Sequence, residues 1–211
     1  MSAFRDHILR VGLILAAFAI GATTLVVLTE NRTHEKIIDN ERQTLLKAIN
    51  AVIAKDQYNN EILADTLMLD ANKQLGTNDS SIIYRARLNN EPAAVVLSAI
   101  APNGYNGKIK LLVGIAFDGS LTGVRVISHK ETPGLGDKID TKKADWILNF
   151  KSLSLSNPDE SKWKVKKDGG QFDQFTGATI TPRAVVTAVK NALLYFDAHR
   201  DELFAISETE K

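Results

Sequence analysis

Cysteine is absent from this 211-residue chain. Its absence excludes disulfides, cysteine-ligated iron–sulfur clusters, haem attached through CxxCH and a thiol nucleophile. Histidine is sparse, and the four that occur form no HExxH or other short pair of metal ligands, so we expect no metal site. If this protein transfers electrons, it therefore needs an organic cofactor.

An excess of charge of one sign is also lacking. Lysine and arginine total 26 against 25 aspartate and glutamate residues, and no basic tract occurs. Proteins that bind nucleic acid have a basic face or stripe, so we expect no nucleic-acid partner. No segment has the low hydrophobicity of extended disorder, and the length suits one substantial folded domain with accessory segments.

One long apolar run is present near the amino terminus. Residues 11–28, "VGLILAAFAIGATTLVVL", carry no charge and have about the length of a helix that crosses a ~30 Å hydrocarbon core. Arg5 and Arg10 precede the run, which favours a cytoplasmic location for residues 1–10. Everything after Thr29 is then expected to lie outside the inner membrane. A cleaved signal peptide is the alternative, but the run continues beyond its small residues, which favours a retained anchor.

The rest of the chain is predicted to form an α+β fold. Residues 34–55 have apolar residues at helical spacing, so we interpret residues 29–78 as a helical linker and the start of the exported domain. Short β-branched segments separated by turn residues then predict an antiparallel sheet with packed helices in residues 79–211. Asp118 and Gly119 suit a hairpin turn, Trp146 and Trp163 suit the core, and Thr181 with Pro182 predicts a helix start.

A first glycine motif, "HKETPGLGDKI" over residues 129–139, directly follows a predicted strand. Gly134 and Gly136 allow the backbone to approach a ligand closely. The motif is no dinucleotide fingerprint, because the third glycine of GxGxxG would stand at Ile139, and it is no P-loop. A simple turn at the end of a strand is the alternative interpretation.

A second motif, "DQFTGAT" over residues 173–179, precedes the predicted last helix. Thr179 lies where the first amides of a helix point outward, which is favourable for a phosphate group, and Lys166 and Lys167 add positive charge. An ordinary helix start is the alternative. A hydrolase with Thr179 as nucleophile is another, but the sequence shows no base to activate the hydroxyl.

Together the two motifs resemble the signatures of the FMN-binding domain family, in which "DQFTGAT" is similar to the flavinylation motif. The likeness extends over nearly the whole chain. Within the family, the chain most resembles the G components of bacterial Rnf (Rsx) electron transport complexes. These are related to the C component of sodium-pumping NADH:quinone reductase. The resemblance implies a membrane-anchored α+β domain that carries FMN.

The resemblance also implies a set of site residues. Thr179 would carry FMN covalently through a phosphoester bond, and Asp173 and Gly177 would also serve the enzyme that attaches it. The remaining candidates for the flavin site are Thr176 and Ala178 of the second motif, Glu131, Thr132, Gly134, Leu135 and Gly136 of the first motif, and Tyr105 and Lys166 outside both.

The implied function is electron relay. The protein would pass electrons among membrane subunits of a complex that couples ferredoxin and NAD to ion movement, and it would have no activity alone. A threonine hydroxyl is a weak nucleophile, so a separate flavin transferase would attach the cofactor. A membrane-anchored assembly or binding module without cofactor is the alternative function.

Overall fold

The computed structural model describes residues 2–205, with side chains from residue 9 onward except those of Asn31 and Glu35. The predicted cytoplasmic side chains of residues 2–8, Met1 and residues 206–211 lie outside this description. The chain divides into two compact units. One is the amino-terminal part of helix α1 (Ser2–Val52) up to Leu45, and the other comprises everything from Leu46 onward.

The first unit is a continuous helix with an apolar surface. Of the helices in residues 2–205, the one over Leu9–Val52 is long and apolar enough to span a membrane. Most of the large apolar side chains in residues 9–28, among them Leu13, Phe18 and Leu25, are more than half exposed. Such a surface suits lipid contact, in agreement with the predicted single-pass anchor.

The second unit contains one antiparallel sheet and the long helix α2, which confirms the α+β prediction. The strands pair in sequence order, each with its neighbours in the chain. Their bounds are β1 Thr66–Leu69, β2 Ser81–Leu88, β3 Glu91–Gly104, β4 Gly107–Ala116 and β5 Leu121–Ser128, and α2 spans Ile180–Phe204. Short 3-10 helices occupy Lys55–Gln57, Gly136–Ile139, Trp146–Phe150, Glu160–Lys162 and Lys166–Asp168.

Both faces of the sheet are covered. Alternate strand residues such as Leu97, Val113 and Val124 join the buried cluster that includes the apolar stripe of α2. On the opposite face, Gly114 and Gly123 leave room for the last turn of α1, because a Cβ atom at either would lie 2.9 Å from the carbonyl oxygen of Val52. The sheet is thus a rigid support whose loops carry the polar motifs.

The predicted elements are largely confirmed. Four strands occur where the β-branched segments predict them, and Trp146 and Trp163 are buried. Strand β1 was not predicted, because "TLML" is too short to show alternation. The turn between β3 and β4 is short, since β3 continues to Gly104 and β4 begins at Gly107.

The predicted start of the last helix was wrong. Helix α2 begins at Ile180 with Thr179 as its N-cap residue, so Thr181 and Pro182 are the second and third helical residues. Proline is tolerated there because the amides of the first turn have no acceptor within the helix. The hydroxyl of Thr181 is consequently free to bind outside the helix.

Candidate functional site

The first glycine motif forms a tight loop after β5. The carbonyl of Thr132 accepts hydrogen bonds from the amides of Leu135 (3.2 Å) and Gly136 (3.1 Å). Gly134, at the exposed tip, has a φ of 78°, a conformation that favours glycine. The loop leads directly into the 3-10 helix Gly136–Ile139, which buries Ile139 in the core.

Glu131 connects this loop to two other elements. Its side chain, only 4% exposed, accepts hydrogen bonds from the amides of Tyr105 (3.3 Å) and Asn106 (3.1 Å) at the β3–β4 turn. It also accepts one from the hydroxyl of Thr181 in α2. Charge-assisted bonds of this kind are stronger than neutral ones, so Glu131 holds the turn, the loop and the helix start together.

Gly136 is needed for this junction. A Cβ atom at this position would lie 2.8 Å from the hydroxyl oxygen of Thr181 and 3.0 Å from Oε2 of Glu131. Any side chain there would push the loop away from the helix. The glycine that the sequence suggested for close approach to a ligand therefore also permits close approach of two protein segments.

The second motif forms a turn that is attached to the core by Trp146. The amide of Ala178 donates to the carbonyl of Phe175 (3.0 Å), and Gly177 between them has a φ of 80°, as the third position of a type II turn requires. The indole of Trp146 donates to the carbonyl of Asp173 (2.8 Å) and packs edge-on against Phe175. The backbone before Thr179 is thereby positioned by a buried aromatic residue.

The two motifs line one cavity of about 220 Å³, the motif cavity. It lies between the loop after β5, the β3–β4 turn and the start of α2. Its lining residues are Tyr105, Glu131, Thr132, Leu135, Gly136, Gly177, Ala178, Thr179, Ile180 and Thr181. Eight of the predicted site residues therefore come together, although Tyr105 stands more than 70 residues from Thr179 in the sequence.

Four predicted site residues are absent from that lining. Gly134 and Thr176 are exposed at the tips of their turns. Lys166 and Asp173 form an exposed ion pair with a separation of 2.6 Å. The structure therefore gives none of these four residues a place in the cavity lining.

The three threonines around Gly177 have different environments. Thr181 is fully buried, with its hydroxyl bound to Glu131, and Thr176 is exposed on the turn. Thr179 is half-buried, lines the cavity and uses no side-chain hydrogen bond to cap α2. Thr181 also lines the cavity, but it is fully buried and its hydroxyl is bound to Glu131. Thr179 is thus the one of the three that combines an available hydroxyl at the cavity with a place at the helix start, where the macrodipole favours negative charge.

Two further lining residues, Ile180 and Thr181, were not predicted as site residues. Ile180 is half-exposed and follows directly from the motif, so its adjacency to Thr179 was the available signal. Thr181 pairs with a carboxylate 50 residues earlier in the chain. No local pattern connects the two, and only the fold reveals this contact.

A larger cavity of about 360 Å³ lies next to the first turn of α2 and shares Ile180 with the smaller one. Its lining includes Lys73, Arg183 and Asn191. Its lining contains no residue of either motif. Size alone would favour it, but the chemistry of the two motifs points to the smaller cavity.

An exposed ion pair connects α2 to the 3-10 helix that precedes the second motif. Arg183 donates two hydrogen bonds to the carboxylate of Asp168, at 2.7 and 2.9 Å. These bonds, with a smaller contribution from the charges of Arg183, Lys167 and Lys164, hold the pKa of Asp168 below its usual value, and the pKa of Arg183 is raised in return. The pair joins the 3-10 helix Lys166–Asp168 to α2.

Arg183→Gln is expected to raise the pKa of Asp168 toward its ordinary value. A carboxyl group whose pKa is lower in the folded than in the unfolded state stabilises the fold above the unfolded pKa, and this contribution is lost as pH falls through the folded pKa. The measurement is an NMR titration of aspartate carboxyl carbons in the full chain. Asp118, whose pKa is lowered mainly by the hydrogen bond from the Ser120 hydroxyl, is the internal control and should not change. An unchanged pKa of Asp168 in this variant would contradict the conclusion that Arg183 lowers it.

Comparison with known proteins gives two matching family models. One describes an FMN-binding domain and matches residues 104–194, which include every residue that lines the smaller cavity. The other describes the RnfG N-terminal region and matches residues 1–52, which correspond to α1. The boundary of the second match coincides with the end of the helix.

Curated relatives match over almost the full chain. A protein of Pseudoalteromonas atlantica is 50% identical over 196 residues, 93% of this chain and 91% of its own length. Proteins of Vibrio atlanticus and Shewanella oneidensis are 48% and 46% identical over 194 residues, each match covering 92% of both chains. All three are described as the G component of an ion-translocating oxidoreductase complex.

Proposed function

Because this chain belongs to the RnfG family of ion-translocating oxidoreductase complex components and contains an FMN-binding domain, we propose that it carries FMN covalently, through a phosphoester bond to Thr179. The main support is that Thr179 is half-buried, lines the motif cavity and occupies the N-cap position of α2. FMN would supply the capacity to accept and release electrons one or two at a time.

The residues of the cavity fit this cofactor. The first amides of α2 and the partial positive charge of its amino terminus suit a phosphate on Thr179. Leu135 and Tyr105 offer apolar and aromatic contact for a ring system, and Glu131, Thr132 and Gly136 complete the part of the lining that the first motif supplies. At about 220 Å³ the cavity is smaller than the roughly 300–1,000 Å³ of sites that enclose a drug-sized ligand, so part of FMN would stay accessible to a redox partner.

Outside the lining, Asp173, Thr176, Gly134 and Lys166 have a different proposed role. They are exposed, and Asp173 and Lys166 pair with each other. We assign them to recognition by the enzyme that attaches the flavin and to the shape of the two turns. Exposure is what a residue needs if a second protein must read it.

A separate flavin transferase would form the bond. Among the described residues that line the cavity, Glu131 is the one carboxylate, and it already accepts bonds from Tyr105, Asn106 and Thr181. The lining thus offers no free base to activate Thr179, a requirement for self-attachment and equally for a threonine hydrolase.

The membrane topology completes the proposal. Residues 11–28 would span the bacterial inner membrane, residues 1–10 would be cytoplasmic, residues 29–78 would lead into the exported part and residues 79–211 would be the periplasmic FMN domain. Support comes from Arg5 and Arg10 before the apolar run and from the exposed apolar surface of α1. A covalent cofactor suits this location, since it cannot be lost from the domain. The other members of the complex would supply and receive the electrons.

The experiment that tests attachment is mass spectrometry of the full chain produced with and without an active flavin transferase. We expect a mass gain equal to FMN less one water only when the transferase is present. Trypsin cleavage after Lys167 and Arg183 releases one peptide, residues 168–183, that contains all three threonines, and fragmentation should place the added mass on Thr179. Protein without added mass, made beside a known substrate that is modified, would favour the cofactor-free assembly module.

A further inference from the structure

Asp137 is a buried carboxylate that the proposed function does not use. Asp137 is 6% exposed. In the sequence it directly follows Gly136, which lines the motif cavity. Its amide also donates to the carbonyl of Thr132, another lining residue, at 3.4 Å. Since consecutive Cα atoms are about 3.8 Å apart, the backbone of Asp137 lies directly beside a residue of the cavity lining.

The charge of Asp137 is poorly compensated. Among the described residues, none donates a hydrogen bond to its Oδ1 atom. Its Oδ2 atom lies 4.0 Å from Nζ of Lys143, whose side chain is 59% exposed. Glu131, the other buried carboxylate beside the cavity, accepts three hydrogen bonds. A buried polar atom without a partner is unfavourable for folding and calls for an explanation.

We infer that the negative charge of Asp137 lowers the reduction potential of the flavin in the motif cavity. This inference rests on the proposed function. Each electron that the flavin receives from a redox partner adds one negative charge unless a proton follows from solvent. A fixed negative charge near the cavity opposes the addition of a further negative charge to the flavin and so favours the oxidised form.

The expected magnitude follows from Coulomb's law. At an effective dielectric constant of about 20, a unit charge roughly 10 Å away changes such an equilibrium by at least about tenfold. Lys143 opposes this effect, but its exposure to water and salt weakens its contribution. The buried carboxylate should therefore contribute more to the field at the flavin than Lys143 does.

Asp137→Asn tests the inference. The full chain is produced with the flavin transferase, and attachment is first verified by in-gel fluorescence. The ratio of oxidised to reduced flavin is then measured against a reference dye during slow anaerobic reduction. We expect the equilibrium to shift at least about tenfold toward the reduced form, which equals about 59 mV for a one-electron couple. Thermal stability should be equal or higher, since an uncompensated buried charge is removed.

Further variants test whether the size and the sign of the shift depend on the position and the charge that is removed. Asp140→Asn removes the same charge three residues later, from a partly exposed side chain that accepts a bond from the amide of Lys142, and should shift the equilibrium less. Lys143→Met removes the compensating cation and should shift it toward the oxidised form, whereas Lys142→Met at the exposed neighbouring position should have a smaller effect.

The outcomes separate this inference from the proposed function. Wild-type protein without covalent flavin would contradict the proposed function. Attached flavin with an unchanged equilibrium in Asp137→Asn would overturn the role of Asp137 and leave the proposed function intact. If Asp137→Asn does not fold, Lys143→Met decides: a shift toward the oxidised form supports the inference, and no shift, or the opposite shift, overturns it.

Discussion

Thr179→Ala is expected to abolish covalent flavin, so that the denatured variant shows no fluorescence on a gel while the wild type does. A phosphoester needs the hydroxyl oxygen of this residue, and alanine has none. The fold should be retained, because the Thr179 side chain makes no capping hydrogen bond to α2. The measurement is in-gel flavin fluorescence with intact mass, on full-length protein made with the transferase.

Three variants control this experiment. Thr187→Ala removes an exposed hydroxyl two turns further along the same helix and should leave attachment unchanged. Thr176→Ala tests the exposed hydroxyl of the same turn, and Thr181→Val tests the buried one that binds Glu131. Fluorescence retained in Thr179→Ala and lost in Thr176→Ala would move the attachment point to the turn.

Asp65→Asn is expected to lower the free energy of unfolding by about 3 kcal/mol, as removal of one member of a buried ion pair does. Asp65 binds Arg85 at 2.5 Å and Arg87 at 2.7 Å, and the side chains of both arginines are nearly buried. The same arginines donate to the carbonyls of Ala205 and Phe204. Without the charge of Asp65, two nearly buried cations lose their carboxylate, and the arginines that bind the end of α2 lose the group that orients them.

Thermal unfolding of the full chain in detergent, followed by tryptophan fluorescence, measures this effect. For a chain of this size the predicted loss corresponds to a decrease in Tm of roughly 6–12 °C. Asp197→Asn is the matched control, because its pair with Arg200 is exposed and such pairs contribute about 0–1 kcal/mol. Equal changes in Tm for both variants would show that the buried cluster has no special role.

Much of the fold could be predicted because its signals are local. The apolar run in α1, the β-branched segments of β2 to β5 and the stripe of α2 each appear within a short window of sequence. Strand β1 escaped prediction because it is short. The start of α2 was misplaced by two residues, since the Thr181–Pro182 pair is a valid start signal but Thr179 takes the cap position in the folded chain.

The site was predictable in part. The two motifs indicate their own residues, and the resemblance assigns them to one cofactor. That Glu131 binds Thr181, and that Tyr105 lies in the same wall, depends on contacts between residues far apart in the chain. The difference between Thr176, Thr179 and Thr181 is one of burial, which the sequence does not show.

Sequence alone is enough to assign the class of this protein: an apolar anchor, an α+β domain and two glycine motifs of a flavin-binding family. These features rest on composition, period and short patterns, which are properties of neighbouring residues. Tertiary structure is needed to show which threonine faces the cavity, which carboxylate is satisfied and which is left without a partner. Those properties depend on burial and on distances between segments, and both arise only when the sheet and α2 pack together.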